Sequence, residues 1–200
     1  MPSAIHILLA DASVCPHYRP ELLDESDRQR LQQHLHLAQK SDWQSSRFLK
    51  QHAVAPVRSL SHSHGHAALV ASTSPQAFGI DIERIKTRDF PSLASWVCSD
   101  FEREYLAQNH WQATEFYRLW CIKEALIKAC QLDFPADLNQ VGYTQTAGGI
   151  ALRSPHSKPF YGISTQIHHD FILACVWQNP NTQINWQTWG KLKLQNLRHY

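Results

Sequence analysis

The sequence predicts an α+β fold made of two similar α+β halves related by a pseudo-two-fold axis. An order of strand, capped helix, second helix and strand occurs twice along the 200 residues. Segments 63–71 and 168–176 look like counterparts, because in each of them histidines lead into an apolar strand. We therefore divide the chain into an N-terminal half, 1–77, and a C-terminal half, 78–200. The alternative is that an α+β chain of this length shows such a rhythm by chance.

In the N-terminal half, the apolar run at 4–10 predicts the first strand. Residues 24–40 are polar and favour a helix. Asp42 could cap a second helix, which is expected to end near Val54, two residues before a proline. The short apolar run at 67–71 predicts a strand that ends at a cluster of serine, threonine and proline.

The C-terminal half begins with a predicted strand at 78–85. Ser99 caps the helix that follows, and residues 115–130 form a longer helix with an apolar stripe at helical spacing. The apolar run at 170–177 predicts the closing strand. Beyond it the chain has apolar residues at period two and a basic end, which indicates an additional edge strand.

Composition and charge limit the functions that the chain can have. With 43% hydrophobic residues it is globular, and its net charge of +2 is too small to indicate nucleic-acid binding. The apolar run at 5–10 is too short for a signal peptide, and no stretch approaches the ~20 apolar residues of a membrane span. Five cysteines without a CxxC spacing are expected to be reduced core residues. We expect a cytoplasmic protein that binds no membrane.

Two carboxylates on the predicted strand 78–85 carry the first functional signal. Side chains two residues apart on a strand share a face, so Asp81 and Glu83 lie ~7 Å apart. Gly79, Ile80 and Ile82 around them indicate a buried strand. Two partly buried carboxylates are costly without a partner, which favours a metal ion. The alternative is a solvated strand face.

The predicted helix 115–130 adds a third carboxylate. Lys123 falls inside its apolar stripe, so its ammonium group must either extend to solvent or meet an anion. Glu124 and Lys128 lie on the flank of that stripe. Three carboxylates beside a lysine suit a divalent metal ion that grips a phosphate. Alternatively, Glu124 and Lys128 form a surface ion pair worth only ~0.3–0.5 kcal/mol.

Two further clusters have several interpretations. The run 61–66, Ser-His-Ser-His-Gly-His, could be an anion-binding loop, a transition-metal site built from histidines on one strand face, or a polar turn. Arg47 and Lys50 lie within one turn of the second helix, with Arg58 nearby in the sequence. They could hold a phosphate or form a solvated face.

Three of these motifs together resemble the signature of the 4′-phosphopantetheinyl transferases, in their Sfp-like, two-halved branch. Residues 79–83 match its G-[IV]-D-[IV]-E strand, and residues 120–128 match its W-x-x-K-E-[AS]-x-x-K helix. Residues 61–63 match its S-H-S motif. Between residues 47 and 128 the chain matches specific residues of the family motifs. Elsewhere it shares mostly the general sequence pattern of the family. It implies the 4′-phosphopantetheinyl transferase fold, with coenzyme A between two halves of one chain and hence a monomer.

The resemblance also implies roles for individual residues in the reaction centre. Asp81, Glu83 and Glu124 would hold Mg²⁺ on the pyrophosphate of coenzyme A. Lys128 would contact the same phosphates, so that Glu124 and Lys128 count as catalytic groups. Glu102 matches a family glutamate that helps to deprotonate the incoming hydroxyl group.

For the rest of coenzyme A, the resemblance assigns Arg47 and His62 to the 3′-phosphate of the adenosine, beside Lys128 at the pyrophosphate. The chain departs from the family at Ser59, where an asparagine is usual. It also departs in the short segment after Arg47, which lacks the family's G-K-P loop beside the adenine. Adenine recognition is therefore expected to differ.

The activity implied is Mg²⁺-dependent transfer of the 4′-phosphopantetheine arm of coenzyme A to a serine of an apo acyl or peptidyl carrier protein. Adenosine 3′,5′-bisphosphate is the second product. Carriers of fatty acid, polyketide and nonribosomal peptide biosynthesis are all compatible with the sequence. Two rivals stay open: a non-catalytic module that binds coenzyme A or a carrier, and a metal-dependent hydrolase that uses His62, His64 and His66.

Overall fold

The structure, a computed structural model that describes residues 4–200, is an α+β arrangement whose strands form two four-stranded sheets and one hairpin. Five α-helices connect or cover the sheets of this part of the chain. The strands are β1 Ala4–Ala10, β2 Val57–Ser63, β3 His66–Ala71, β4 Phe78–Arg84, β5 Gly142–Thr146, β6 Gly149–Arg153, β7 Tyr161–Ile167, β8 Phe171–Trp177, β9 Gln183–Trp189 and β10 Leu194–His199. The helices are α1 Glu25–Gln33, α2 Ser41–Gln51, α3 Phe90–Val97, α4 Asp100–Gln108 and α5 Ala113–Cys130.

The first sheet has the strand order β2-β3-β1-β9 and the second has the order β10-β7-β8-β4. All pairings are antiparallel except that of β1 with β9, which is parallel. Strand β9 lies in the range 78–200 yet hydrogen-bonds to β1. The division into halves at residue 77 and the pseudo-two-fold relation both stay predictions.

Burial on both faces explains why the central strands are continuous apolar runs. In β1, Ile5, Ile7 and Leu9 pack into a core shared by the two sheets, whereas Leu8 and Ala10 face the opposite side, toward α2. A further core surrounds α5, which packs on β4 and β8 and is buried on most of its surface. Helix α5 is thus the central element of the region that carries the motifs.

Several predicted elements are confirmed and others are wrong in extent. The strands at 4–10 and 170–177 correspond to β1 and β8, and the helix at 115–130 corresponds to α5. The helix at 24–40 is wrong, because α1 ends at Gln33 and a separate 3-10 turn, Leu35–Gln39, follows. Asp27 is the buried residue of α1, so no apolar stripe continues the helix against the core.

Strands β2 and β7, helix α3 and the β5–β6 hairpin were not predicted from the sequence. Strand β2 is rich in serine, and three of its seven residues are exposed, so it lacks the apolar alternation expected of a strand. The predicted edge strand of the tail is β9, and β10 forms an edge of the second sheet.

Two simpler expectations can also be compared with the structure. All five cysteines are free, and every one except the half-buried Cys15 is buried. Among the helices of residues 4–200, none has both the length and the apolar character that crossing a bilayer requires.

Candidate metal centre

The candidate site lies next to α5, where β2, an edge strand of the first sheet, packs against β4, an edge strand of the second sheet. Strand β4 packs on both β2 and α5. A Cβ atom at Gly79 would overlap the carbonyl oxygen of Ala125, so glycine allows β4 and α5 to approach closely. As a result, Asp81 and Glu83 of β4 lie within electrostatic range of Glu124 on α5. The structure therefore brings the three predicted carboxylates into one region.

Asp81 is the most buried of the three carboxylates, with 3% of its surface exposed. Its Oδ1 accepts hydrogen bonds from Lys128 Nζ and Ser61 Oγ, both at 2.8 Å. Its Oδ2 is buried and has no hydrogen-bond partner among residues 4–200. Leaving a buried charged oxygen unpaired is costly, so a group that satisfies Oδ2 would stabilise the site.

The other two carboxylates have raised pKa values. Burial, followed by the charge of Asp81, raises the pKa of Glu83, while a hydrogen bond from Ser63 opposes this change. Burial and the charges of Asp81 and Glu83 raise the pKa of Glu124 to about 7, although Lys128 acts in the opposite direction. The cluster thus carries more negative charge than its one lysine neutralises.

These properties suit a divalent cation that binds together with a phosphate. The donors are carboxylate oxygens, which Mg²⁺ prefers, and one of them is buried and unpaired. Within residues 4–200, no three or more His, Cys, Asp or Glu side chains are arranged to hold a metal ion by themselves. However, Mg²⁺ is usually held by only one or two carboxylates, with waters and substrate phosphates as its other ligands. The donor set is therefore compatible with magnesium.

Three serines at alternate positions of β2 form hydrogen bonds to β4, where the two sheets meet. Ser59 Oγ accepts the N–H of Ile80 at 3.1 Å. Ser61 Oγ donates to Asp81, and Ser63 Oγ donates to Glu83 Oε2 at 3.0 Å. We call Ser59, Ser61 and Ser63 the serine ladder. Since strand side chains alternate, the S-H-S motif directs its two serines to the carboxylates and its histidine away from them.

The expectation that the alternating histidines share one strand face is wrong. His62 lies in β2, His64 lies in the turn after it, and His66 begins β3. The chain reverses direction between them, and the ring of His66 packs on Phe171 with centroids 3.9 Å apart. The structure therefore provides no basis, within its described residues, for a transition-metal site made of these histidines.

His62 has an exposed side chain, and both cations and an acid act on its ring. Partial burial lowers the pKa of its ring, Arg47 and Lys128 lower it further, and Asp42 opposes them. The structure thus places His62 within electrostatic range of both cations that the resemblance assigns to phosphates.

Arg47 is buried and already paired. Its Nη2 lies 2.6 Å from Asp27 Oδ1, and its guanidinium group stacks on Trp43 at 3.8 Å from the ring centroid. Lys50 bonds both Asp24, at 2.5 Å, and Asp27. Sequence reasoning missed these acid partners, because they lie 20 or more residues away, in α1 and at its N-cap.

Glu102 and Lys123 form a fully buried ion pair at 2.9 Å. Glu102 is also half of a capping box with Ser99 at the start of α4, and its Oε1 accepts the N–H of Tyr143 at 2.8 Å. Lys123 additionally donates to the carbonyl of Val141 at 2.6 Å. Lys123 therefore meets an anion, as its position in the apolar stripe suggested. These contacts give Glu102 a structural role, and its catalytic role stays a prediction.

Two pockets flank the carboxylates. One, of about 230 Å³, is lined by Glu83, Arg84 and the aromatic side chains of Phe116, Tyr117 and Trp120, among others. The other, of about 430 Å³, has Arg58, Lys128 and His156 in its lining. Lys128 thus faces a basic pocket on one side of the cluster and contacts Asp81 on the other.

Comparisons with known proteins agree with the motifs. A family model described as the 4′-phosphopantetheinyl transferase superfamily matches residues 77–176. A protein of Haemophilus influenzae (strain ATCC 51907 / DSM 11121 / KW20 / Rd) named "Putative 4'-phosphopantetheinyl transferase" is 32% identical over 73 residues. The match covers 35% of this chain and 31% of that protein, so the chain spans about a third of the length of this curated relative.

Proposed function

Because the chain belongs to the 4′-phosphopantetheinyl transferase superfamily, we propose that it transfers the 4′-phosphopantetheine arm of coenzyme A to a serine of an apo acyl or peptidyl carrier protein. We assign it to the Sfp-like, two-halved branch. The observation that carries the proposal is the buried Oδ2 of Asp81, which has no hydrogen-bond partner among residues 4–200, in a group of three carboxylates beside Lys128. An excess of carboxylate oxygens next to cationic side chains suits a pyrophosphate that arrives with a metal ion.

In this proposal Mg²⁺ takes its protein ligands from Asp81, Glu83 and Glu124, and waters and the substrate phosphates would complete its coordination. When bound, the ion supplies positive charge to the pyrophosphate. Lys128 adds a further positive charge at the same phosphates, because its bonds to Asp81 and to the Ile80 carbonyl use only two of its three N–H groups within the described part of the chain. His62 lies on the exposed side of the junction, where it can approach a second phosphate group.

The reaction forms one bond and breaks one. The serine oxygen of the carrier bonds to the phosphorus that bears pantetheine, and the pyrophosphate P–O bond breaks. Adenosine 3′,5′-bisphosphate leaves with the electron pair of that bond, and the serine proton ends in solvent. The nucleophile comes from the partner, so the chain itself mainly positions the reactants.

Intact-mass spectrometry of an apo carrier protein, incubated with this protein, coenzyme A and Mg²⁺, tests the proposal. We expect a mass gain equal to one phosphopantetheine arm. Asp81→Asn and Glu124→Gln should each lower the rate by about 100-fold, because each variant removes a charged oxygen donor. Glu104→Gln is the matched control, since Glu104 is an exposed carboxylate on α4 whose side chain bonds Gln108; its rate should be unchanged.

Wild-type rates in Asp81→Asn or Glu124→Gln would refute the assignment of the carboxylates. Coenzyme A binding without a mass gain on any acyl or peptidyl carrier would instead favour a non-catalytic binding module. That rival has one specific observation in its favour, because the Arg47 guanidinium is already neutralised by Asp27.

A further inference from the structure

Two cations of α2, Arg47 and Lys50, are neutralised by Asp27 of α1 and by Asp24, the N-cap residue of that helix. Arg47 and Asp27 are joined at 2.6 Å, and their side chains are only 8% and 6% exposed. Lys50 is bonded to Asp27 and, at 2.5 Å, to Asp24. Two positive charges thus face two negative charges. A phosphate next to Arg47 would also lie next to Asp27, which repels it.

Space beside this group of four charges is available to a ligand. Asp27, Arg47 and Lys50 line a pocket of about 280 Å³ whose other walls include Ala55 and Val57. Arg47 Nε is buried there without a partner in the described chain, so one N–H of the guanidinium group remains free to donate. A mixed polar and apolar pocket of this size suits an uncharged part of a ligand, such as a sugar, better than a dianion.

An acidic side chain and an unpaired arginine select different groups on a ribose: the first favours a hydroxyl group and the second favours a phosphate. In dinucleotide-binding proteins, an acidic side chain accepts a hydrogen bond from a ribose hydroxyl, whereas an unpaired arginine accommodates a phosphate at that position. Arg47 is paired, and Asp27 supplies a carboxylate that can accept from a hydroxyl. The side chains in this pocket are therefore suited to a ribose with a free hydroxyl group.

We propose that Asp27 is a specificity-determining residue that makes the site accept a pantetheine donor with a free 3′-hydroxyl, 3′-dephospho-coenzyme A. This inference rests on the proposed function and on the assignment of Arg47 to the 3′ position. With this donor the serine oxygen bonds to the pantetheine phosphorus and the pyrophosphate P–O bond breaks. AMP leaves with the electron pair of the broken bond, and the serine proton ends in solvent.

The first experiment compares the two donors in the carrier assay with Mg²⁺. For the wild-type protein we expect kcat/KM values for coenzyme A and 3′-dephospho-coenzyme A within about threefold of each other, because the two paired cations have little charge left for a phosphate. A preference for coenzyme A above about 100-fold, the size expected of an unopposed buried charge contact, would overturn the inference.

The second experiment changes Asp27. Asp27→Asn removes the negative charge and keeps an oxygen that can accept from Arg47. It should increase kcat/KM for coenzyme A by about tenfold and leave 3′-dephospho-coenzyme A nearly unchanged, since only the phosphate is repelled. Glu25→Gln is the matched control: it removes one charge from the same helical turn, but Glu25 contacts Arg28 and Gln29 rather than the two cations of α2. An unchanged donor ratio in folded Asp27→Asn would overturn the inference.

A binding measurement needs neither a variant nor catalysis. Calorimetric titration of the wild-type protein with AMP and with adenosine 3′,5′-bisphosphate should give dissociation constants within about threefold of each other. A bisphosphate that binds more than about 100-fold tighter would overturn the inference, and so would the absence of binding for both nucleotides. If no carrier gains mass with either donor, the proposed function fails, whereas similar binding of both nucleotides would still uphold the assignment of Asp27.

Discussion

Lys123 shows how one residue can connect distant parts of the chain. It is completely buried, and burial lowers the pKa of its ammonium group while Glu102 raises it. Besides its ion pair, it donates to the carbonyls of Leu138 and Val141. A Cβ atom at Gly142 would overlap Glu102 and crowd Lys123, so this glycine leaves the space that the pair occupies. The lysine of the W-x-x-K-E motif therefore joins α5, α4 and the chain before β5.

This residue-scale picture predicts the effect of breaking the pair. Glu102→Gln and Lys123→Met should each lower the free energy of unfolding by about 3–5 kcal/mol, because each leaves a buried group without its partner. The double variant should lose less than the sum of the two. Urea denaturation measures both effects, with Glu104→Gln as the exposed control on the same helix.

The same variants decide between a structural and a catalytic role for Glu102. If the role is structural, Glu102→Gln retains most of the wild-type transfer rate per folded molecule below its unfolding temperature. A loss of about 100-fold in the rate of fully folded protein would instead assign Glu102 to proton transfer.

At the scale of elements, the site depends on two edge strands from different sheets. Strands β2 and β4 are joined by the serine ladder, and Lys128 of α5 adds a bond to the Ile80 carbonyl at 3.1 Å. Hydrogen bonds from neutral hydroxyls fix the direction of Asp81 and Glu83 without cancelling their charge. Partners of this kind orient metal ligands in proteins and strongly affect metal affinity.

We therefore expect Ser63→Ala and Ser61→Ala to weaken Mg²⁺ binding by about 10-fold or more, through loss of orientation of Glu83 and Asp81. Calorimetry with Mg²⁺ in the presence of coenzyme A measures this effect. Ser59→Ala is the matched control, because Ser59 lies on the same strand but bonds a backbone N–H rather than a carboxylate. Equal affinities in all three variants would contradict an orienting role of the ladder.

At the scale of the whole molecule, the C-terminal strand holds α5 against the second sheet. Arg198 of β10 forms two hydrogen bonds of 2.6 Å to Glu115 at the start of α5. The hydroxyl of Tyr200 lies 3.0 Å from that of Tyr143 and 2.9 Å from that of Ser164. The tail, to which the sequence assigned no chemistry, thus connects the start of α5 to β5 and β7.

The ion pair of Glu115 predicts a pH dependence of stability. Burial raises the pKa of Glu115, but hydrogen bonds from Arg198 and Tyr105 outweigh it, so the pKa is lowered. For a carboxyl group with a lowered pKa, the stabilisation is complete above its unfolded pKa of ~4.5 and is lost as pH falls through the folded pKa. Arg198→Gln should therefore lower the unfolding free energy by about 1–2 kcal/mol at pH 7, since partial exposure of Arg198 screens the pair.

Urea denaturation from pH 7 to pH 3 measures this prediction. The difference between the wild type and Arg198→Gln should decrease as Glu115 becomes protonated. Lys158→Gln is the charge-matched control, because Lys158 is exposed and forms no ion pair within residues 4–200. A difference that stays constant over the whole pH range would contradict the assignment.

Much of the local structure could be predicted from the sequence because its signals are local. The apolar runs of β1 and β8 and the stripe of α5 follow from residue periodicity, and Gly79 beside two alternating carboxylates indicated a buried, charged strand. The length of α1 could not be predicted, since it depends on whether a polar helix finds a core to pack on. Strand β2 was missed because serines occupy the positions where apolar residues usually mark a strand.

The sequence by itself determined the kinds of groups in the site: three carboxylates and a lysine on one strand and one helix, in an order that a known family shares. Only the tertiary structure decided which partners they have. Ser61 and Ser63 meet Asp81 and Glu83, and the cations of α2 meet the acids of α1, because packing brings together side chains 20 or more residues apart. Such pairings depend on how strands and helices are stacked in space, which residue order along the chain does not record.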